Sequence, residues 1–147
     1  MSAHALRRDR YREWLASQGV RFGFDREIAH RADAVDGTVP NDTPPVDLWH
    51  RIIPTVRVVE TLREAFGATT INSAFRSKEY NAAVGGEDAS LHMENNALDV
   101  RCATGTPAQW AEFLRGRRRD KAFMGGIGTY ATFVHVDTRG VNRDWVG

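Results

Sequence analysis

The chain has 147 residues, of which 41% are hydrophobic and 27% charged, the make-up of an ordinary globular protein with enough chain to bury a sizeable core. Twenty Lys and Arg stand against 19 Asp and Glu, so no global field points to nucleic acid or to a membrane surface as a partner. The lone cysteine, Cys102, excludes an internal disulfide, and no window reaches the apolar length of a membrane span.

In chain order, residues 5–18 read as a helix with Leu6, Tyr11, Trp14 and Leu15 on one apolar stripe and Gly19 as its stop. The charged N-terminus lacks the apolar stretch of a secretory signal. Synthesis as a soluble cytoplasmic chain is therefore expected, with release or export needed for any action outside the cell. Residues 20–24 look extended, Asp25 is a candidate cap for a short helix through Ala32, and residues 36–45 (DGTVPNDTPP) have loop composition. The spacing of Ile52, Ile53, Val56, Val59, Leu62 and Phe66 predicts helix over 46–66, where Pro54 must either kink the helix or open a second one. Gly67 ends it.

Residues 69–75 (TTINSAF) alternate and are β-branched, which predicts a strand. Ser77 caps a short helix closed by Gly85 and Gly86, and residues 97–103 form a second strand. Thr106-Pro107 starts a helix with an apolar face of Trp110, Phe113 and Leu114. Residues 125–128 read as a tight turn or strand end, and 133–137 as a third strand. The basic run 115–119 reads as a solvated loop, and His4, His30 and His50 as surface residues on helices. The expected fold is α+β, a small, mostly antiparallel sheet with helices packed on one side. It is expected to be one domain over 1–147, with residues 1–45 as its helical N-terminal part.

The chemistry concentrates in two strands. Alternation puts Asp99 and Arg101 on one side of the second strand, and His135 and Asp137 on one side of the third, with Val134 and Val136 turned to the core. The polar residues are in phase, so each strand has an apolar side to bury and a polar side to line a cleft. A hydrolytic Zn²⁺ site needs three N or O ligands and an open position for water, and His92, Asp99 and His135 fit that set. Taken singly, such residues are more often structural histidines and helix caps.

The stretches SAFRSKEYNAAVGG, SLHMENNALDV and GGIGTYATFVHVDTRG resemble the M15 peptidase family, in particular its D-Ala-D-Ala carboxypeptidase-like and murein endopeptidase branch with a hedgehog/DD-peptidase-like fold. The resemblance spans about residues 70–145 and rests on three motifs in order, including Ser-x-His-x-x-Gly-x-Ala-x-Asp. It implies that His92, Asp99 and His135 hold zinc, and that Arg76 binds the substrate carbonyl or carboxylate with its forked donors. It groups Ser90 with Arg76 as substrate-binding, a hydrogen-bonding residue that orders the His92 loop and not a nucleophile; a simple turn former is its other reading. The implied activity is hydrolysis of a peptide bond in peptidoglycan stem peptides or cross-links, as in a phage endolysin.

Two features depart from the family pattern. Asn95 replaces its glycine, and Asn tolerates the left-handed backbone better than other non-glycine residues. Where relatives carry a base just before the last ligand, this chain has Thr132, Phe133 and Val134. Asp137 is then the nearest carboxylate in phase, as general base or as the group that orients ligand or water. Three other readings compete. A non-haem Fe(II) oxygenase would need a further His after His135, and none follows. A cysteine hydrolase would need Cys102, whose strand phase turns it away from Asp99. A catalytically inactive wall-binding or structural module would retain the scaffold without the base.

Overall fold

Local caps and apolar spacing decide where the helices begin and end. A computed structural model describes residues 1–147, with five α-helices, a two-stranded sheet and a five-stranded sheet. Helix α1, Ala3–Ser17, starts where the Ser2 hydroxyl accepts from the Ala5 amide at 3.0 Å, and it buries Tyr11 and Leu15. Leu6 is exposed, so the buried stripe is narrower than the spacing predicts. Residues 20–24 turn instead of extending. Phe22 takes a left-handed φ of 63°, and the Arg21 and Arg63 guanidinium groups sit 4.8 and 4.7 Å from its ring centre.

Helix α2, Phe24–His30, is entered through Gly23, and Asp25 lies inside its first turn, where its charge meets the helix dipole, rather than capping it. Within the expected loop, Gly37-Thr38 turns a short hairpin between β1 (Val35–Asp36) and β2 (Val39–Pro40), with Gly37 at a left-handed φ of 60°. Pro54 opens a second helix. A 3-10 segment, Val46–Ile52, precedes α3, Ile53–Phe66, and the proline occupies the first turn of α3, where its missing N–H is no loss.

Helix α4, Lys78–Ala83, follows strand β3 (Thr69–Ser73) and is capped by the Ser77 hydroxyl, 3.2 Å from the Tyr80 amide. Strand β4 (Ala97–Cys102) leads to α5, Pro107–Arg119, which opens on a capping box between Thr106 and Gln109. The basic run 115–119 is therefore the end of this helix and not a loop. Three strands complete the chain: β5 (Gly126–Thr129), β6 (Val134–Asp137) and β7 (Arg143–Val146).

The large sheet has the order β3-β4-β6-β5-β7, antiparallel except for the β5–β7 pair. On one face Ile71, Leu98, Val100, Ile127, Val134 and Val136 are buried in a common core with α3 and α5. Each fully buried aliphatic side chain there is worth about 1.5–3 kcal/mol. The other face keeps its polar side chains for a cleft. No helix is long and apolar enough to cross a membrane.

Candidate metal centre

Antiparallel register builds the centre. Asp99 of β4 stands directly opposite His135 of β6, so both side chains rise from the same point of the open face. A register shift in β3 between Ile71 and Ser73 sets Ser73 against the other flank of Asp99. His92 comes from a 3-10 segment, Leu91–Glu94. The Ser90 hydroxyl accepts from the His92 amide at 3.2 Å, and the His92 carbonyl accepts from the Arg76 amide at 3.1 Å. Asn95 then adopts the left-handed conformation, φ 56°, that turns the chain into β4. Its buried amide donates to the Leu48 carbonyl at 2.9 Å and to the Tyr11 hydroxyl at 3.3 Å.

The proton positions in the two rings follow from their partners. Nδ1 of His92 lies 2.8 Å from the Ala74 carbonyl oxygen, which can only accept, so Nδ1 carries the ring proton and Nε2 presents a lone pair. Nε2 of His135 lies 2.8 Å from the Asp137 carboxylate, so the proton sits there and Nδ1 presents the lone pair. Both lone pairs face one oxygen, Oδ1 of Asp99, each at 3.1 Å. Three acceptors so placed repel one another unless a positive charge lies among them.

The ligand atoms of His92, Asp99 and His135 all fall within 4.8 Å of one another, and all three residues are buried. Separations of 3.1 Å are close to the edge of about 3.3 Å for a tetrahedron with zinc–ligand bonds of ~2.0 Å. Two imidazoles and one carboxylate also match the donor set of catalytic zinc. Where protons on the two rings take the place of a metal, burial alone would push the Asp99 carboxyl up, but the charge of a protonated His92 and hydrogen bonds from the protonated imidazoles outweigh it and hold it well below the usual carboxylate range. Burial would likewise lower His135, and the two carboxylates outweigh that and raise it.

Asp137 is wholly enclosed. Its Oδ1 accepts from the amides of Gly126 and Arg139 at 2.9 and 3.2 Å, and the Arg139 guanidinium grips both oxygens, Nε to Oδ1 at 2.9 Å and Nη2 to Oδ2 at 2.7 Å. With 0% exposure its lone pairs are committed to the protein. Burial alone would raise this carboxyl too, yet Arg139 and His135 hold it well below its ordinary value. Of its two expected roles, this surrounding suits the orienting one: a carboxylate that fixes the tautomer and tilt of His135.

Arg76 lies beside the cluster, held by Nε to the Ser73 hydroxyl (3.0 Å) and Nη1 to the Asn81 side-chain oxygen (3.3 Å), with Nη2 3.6 Å from Asp99 Oδ2. The cluster forms the floor of a cleft of about 730 Å³. One wall is aromatic. Tyr130 and Phe133 stack at 4.4 Å, and the Trp145 indole lies 4.9 Å from the His135 ring and donates to the Tyr130 hydroxyl at 2.9 Å. Gly128 makes this possible, since a β-carbon there would stand 2.5 Å from the indole nitrogen. Cys102 is half-buried beside the Thr69 hydroxyl on β4, outside this cleft. Of the three remaining histidines, His30 and His50 are exposed, and His4 is half-buried in a contact with Asp33 at 2.8 Å.

Of the residues that sequence reasoning names, His92, Asp99, His135, Arg76 and Ser90 line one cleft, and Asp137 is enclosed behind His135. The same reasoning missed Arg139, Trp145 and Tyr130. The in-phase position of Arg139, two residues beyond Asp137, was the one available signal; nothing local marked the aromatic wall.

An α+β scaffold that aims two imidazoles and a carboxylate into an open cleft is a protein equipped to hold a divalent metal. The family model described as peptidase M15 matches residues 22–137, and the chain belongs to that family, whose members are generally zinc-dependent peptidases. The match runs from α2 to the end of β6 and so includes every residue of the cluster. No curated protein and no solved structure matches the chain.

Proposed function

We propose that this protein is a zinc-dependent peptidoglycan peptidase, acting on stem peptides or cross-links as a D-Ala-D-Ala carboxypeptidase or a murein endopeptidase of the endolysin kind. It reaches the cell wall after release or export. The observation that carries the reading is the convergence of the His92 and His135 lone pairs on Asp99 in a chain of the M15 family.

In this reading His92, Asp99 and His135 hold zinc, which supplies the Lewis acidity that brings the pKa of a water to about 7. The Ala74 carbonyl and Asp137 keep the two imidazoles in the tautomers that ligation requires. Arg76 binds the substrate carbonyl or carboxylate and offsets the negative charge that develops during attack. Ser73 and Asn81 hold its guanidinium in place, so little side-chain entropy is lost on binding. Ser90 sets the turn that presents His92, and Trp145 and Tyr130 wall the cleft against bulk water. Asp137 acts by holding His135 through its Nε2–H.

Digestion of purified cell-wall sacculi by the zinc-loaded protein tests this directly. New amino termini and peptide fragments identified by mass are expected, and a chelator should abolish them. Zinc-loaded protein that binds sacculi and releases no new amines would instead make the chain an inactive wall-binding module.

A further inference from the structure

We propose that Arg143 is a second carboxylate-recognition residue of the cleft, selecting peptides that carry a free carboxylate about two residues from the bond that is cut. This rests on the peptidase reading for the position of that bond. The sheet register supplies the geometry. Asp99, His135, Gly128 and Trp145 form one row across β4, β6, β5 and β7, and Asp137, Gly126 and Arg143 lie in a neighbouring row. Arg143 and Trp145 are two residues apart on one strand, so both side chains rise on the cleft face. Arg143 does line the cleft, it is exposed, and its guanidinium has no hydrogen-bond or ion-pair partner within the protein.

The other cationic groups of the cleft are committed. Arg76 is held by Ser73 and Asn81 against Asp99, and Arg139 is spent on Asp137. Against Arg143 the lining offers one acidic side chain outside the metal cluster, the exposed Glu87 on the loop after α4. A free, fixed positive charge beside the indole of Trp145 suits a planar anion, which a guanidinium binds through two parallel hydrogen bonds.

Strand spacing gives the distance. Two strands at about 4.8 Å and two residues at about 3.3 Å put the Arg143 α-carbon roughly 12 Å from that of His135. The exposed, unpaired arginine side chain, leaning along the cleft floor toward His135, would span about half of this. The remainder, about 6–7 Å, is the length of two extended residues. Arg76 therefore serves the group being attacked, and Arg143 a carboxylate two residues away, either a side chain or the chain end.

The test uses synthetic peptidoglycan stem peptides in which one carboxylate at a time is replaced by a carboxamide. Their binding to the zinc-loaded protein is measured by calorimetry and, separately, their cleavage by mass. In the wild type at least one replacement should weaken binding about tenfold, the energy of a good charge-assisted contact. In Arg143→Gln the carboxylate-to-carboxamide affinity ratio for that peptide should fall to near one, and Arg143→Lys should restore part of it. Zinc content measured on both variants shows that the metal centre is intact. A ratio unchanged in Arg143→Gln, or a wild type indifferent to every replacement, overturns the assignment. A preserved ratio difference between wild type and Arg143→Gln with no cleavage of any peptide would overturn the peptidase reading, and with it the position relative to a cut bond, while leaving carboxylate recognition by Arg143 standing.

Discussion

Asp99 and His135 are cross-strand partners, and the Nδ1 atom of one approaches a single carboxylate oxygen of the other at 3.1 Å. The relationship is set by sheet register, so the pair is preorganised before any ligand arrives. His92, added from a 3-10 segment that is hydrogen-bonded to the residues following β3, reaches the same oxygen. A one-residue slip of β6 against β4 would turn His135 into the core and Val136 into the cleft. Core packing and site geometry are thus one constraint.

Asp137→Asn separates the orienting role from a general-base role. The carboxylate that holds His135 Nε2–H also receives Arg139, and an amide can satisfy only part of that set. Zinc affinity should fall about 10–100-fold, the usual cost of removing a hydrogen-bond partner of a metal-bound histidine. Competition with a chromophoric chelator measures it. Unchanged affinity together with lost turnover would return Asp137 to the role of base.

Asn95→Gly restores the residue that the family motif has at this turn. Glycine relieves the left-handed strain at φ 56° but removes the hydrogen bonds to Tyr11, which is buried, and to Leu48, which is part-buried. Leaving those partners unsatisfied costs about 1–3 kcal/mol, more than the relief returns. Denaturant unfolding should show a net loss of roughly 1 kcal/mol with zinc stoichiometry intact. A more stable glycine variant would show that the strain dominates.

The β7 anchor makes stability depend on acid. Asp144 accepts from the Arg115 side chain at 2.8 Å and is also paired with Arg118, tying β7 to the end of α5. Burial alone would raise the Asp144 carboxyl, but these two arginines hold it below its ordinary value. A depressed folded-state pKa contributes stability that is complete above the unfolded value of about 3.9 and is lost as pH falls through the folded value. Thermal unfolding should place Asp144→Asn below the wild type at pH 7, and the two curves should converge below about pH 4. A constant offset down to the lowest pH would mean that the charge is not responsible.

Much of the centre was legible because strand alternation is local: the phase of Asp99 with Arg101 and of His135 with Asp137 can be read within each segment, and the register then sets Asp99 opposite His135. The caps at Ser77 and Thr106, and the break at Pro54, could also be read locally. The rest depended on distant partners. Strand β7 has one aromatic residue, Trp145, and an exposed Val146, and it forms because β5 offers a flat glycine surface and α5 offers Arg115 and Arg118. The glycines of β5 read as a turn for the same reason, since the side chain that covers them lies 17 residues away, between Gly128 and Trp145. The enclosure of Asp137 required Arg139 to fold back onto it, and its in-phase position two residues on, past the end of β6, permits that contact without dictating it.

Zinc stoichiometry is the most direct measure of the centre. The purified protein, dialysed against zinc and assayed by atomic emission, should hold one ion per chain. His135→Ala should hold none at micromolar zinc and should lose peptidase activity together with the metal. One ion retained in His135→Ala, or in the corresponding His92 and Asp99 variants, would contradict the account at its root.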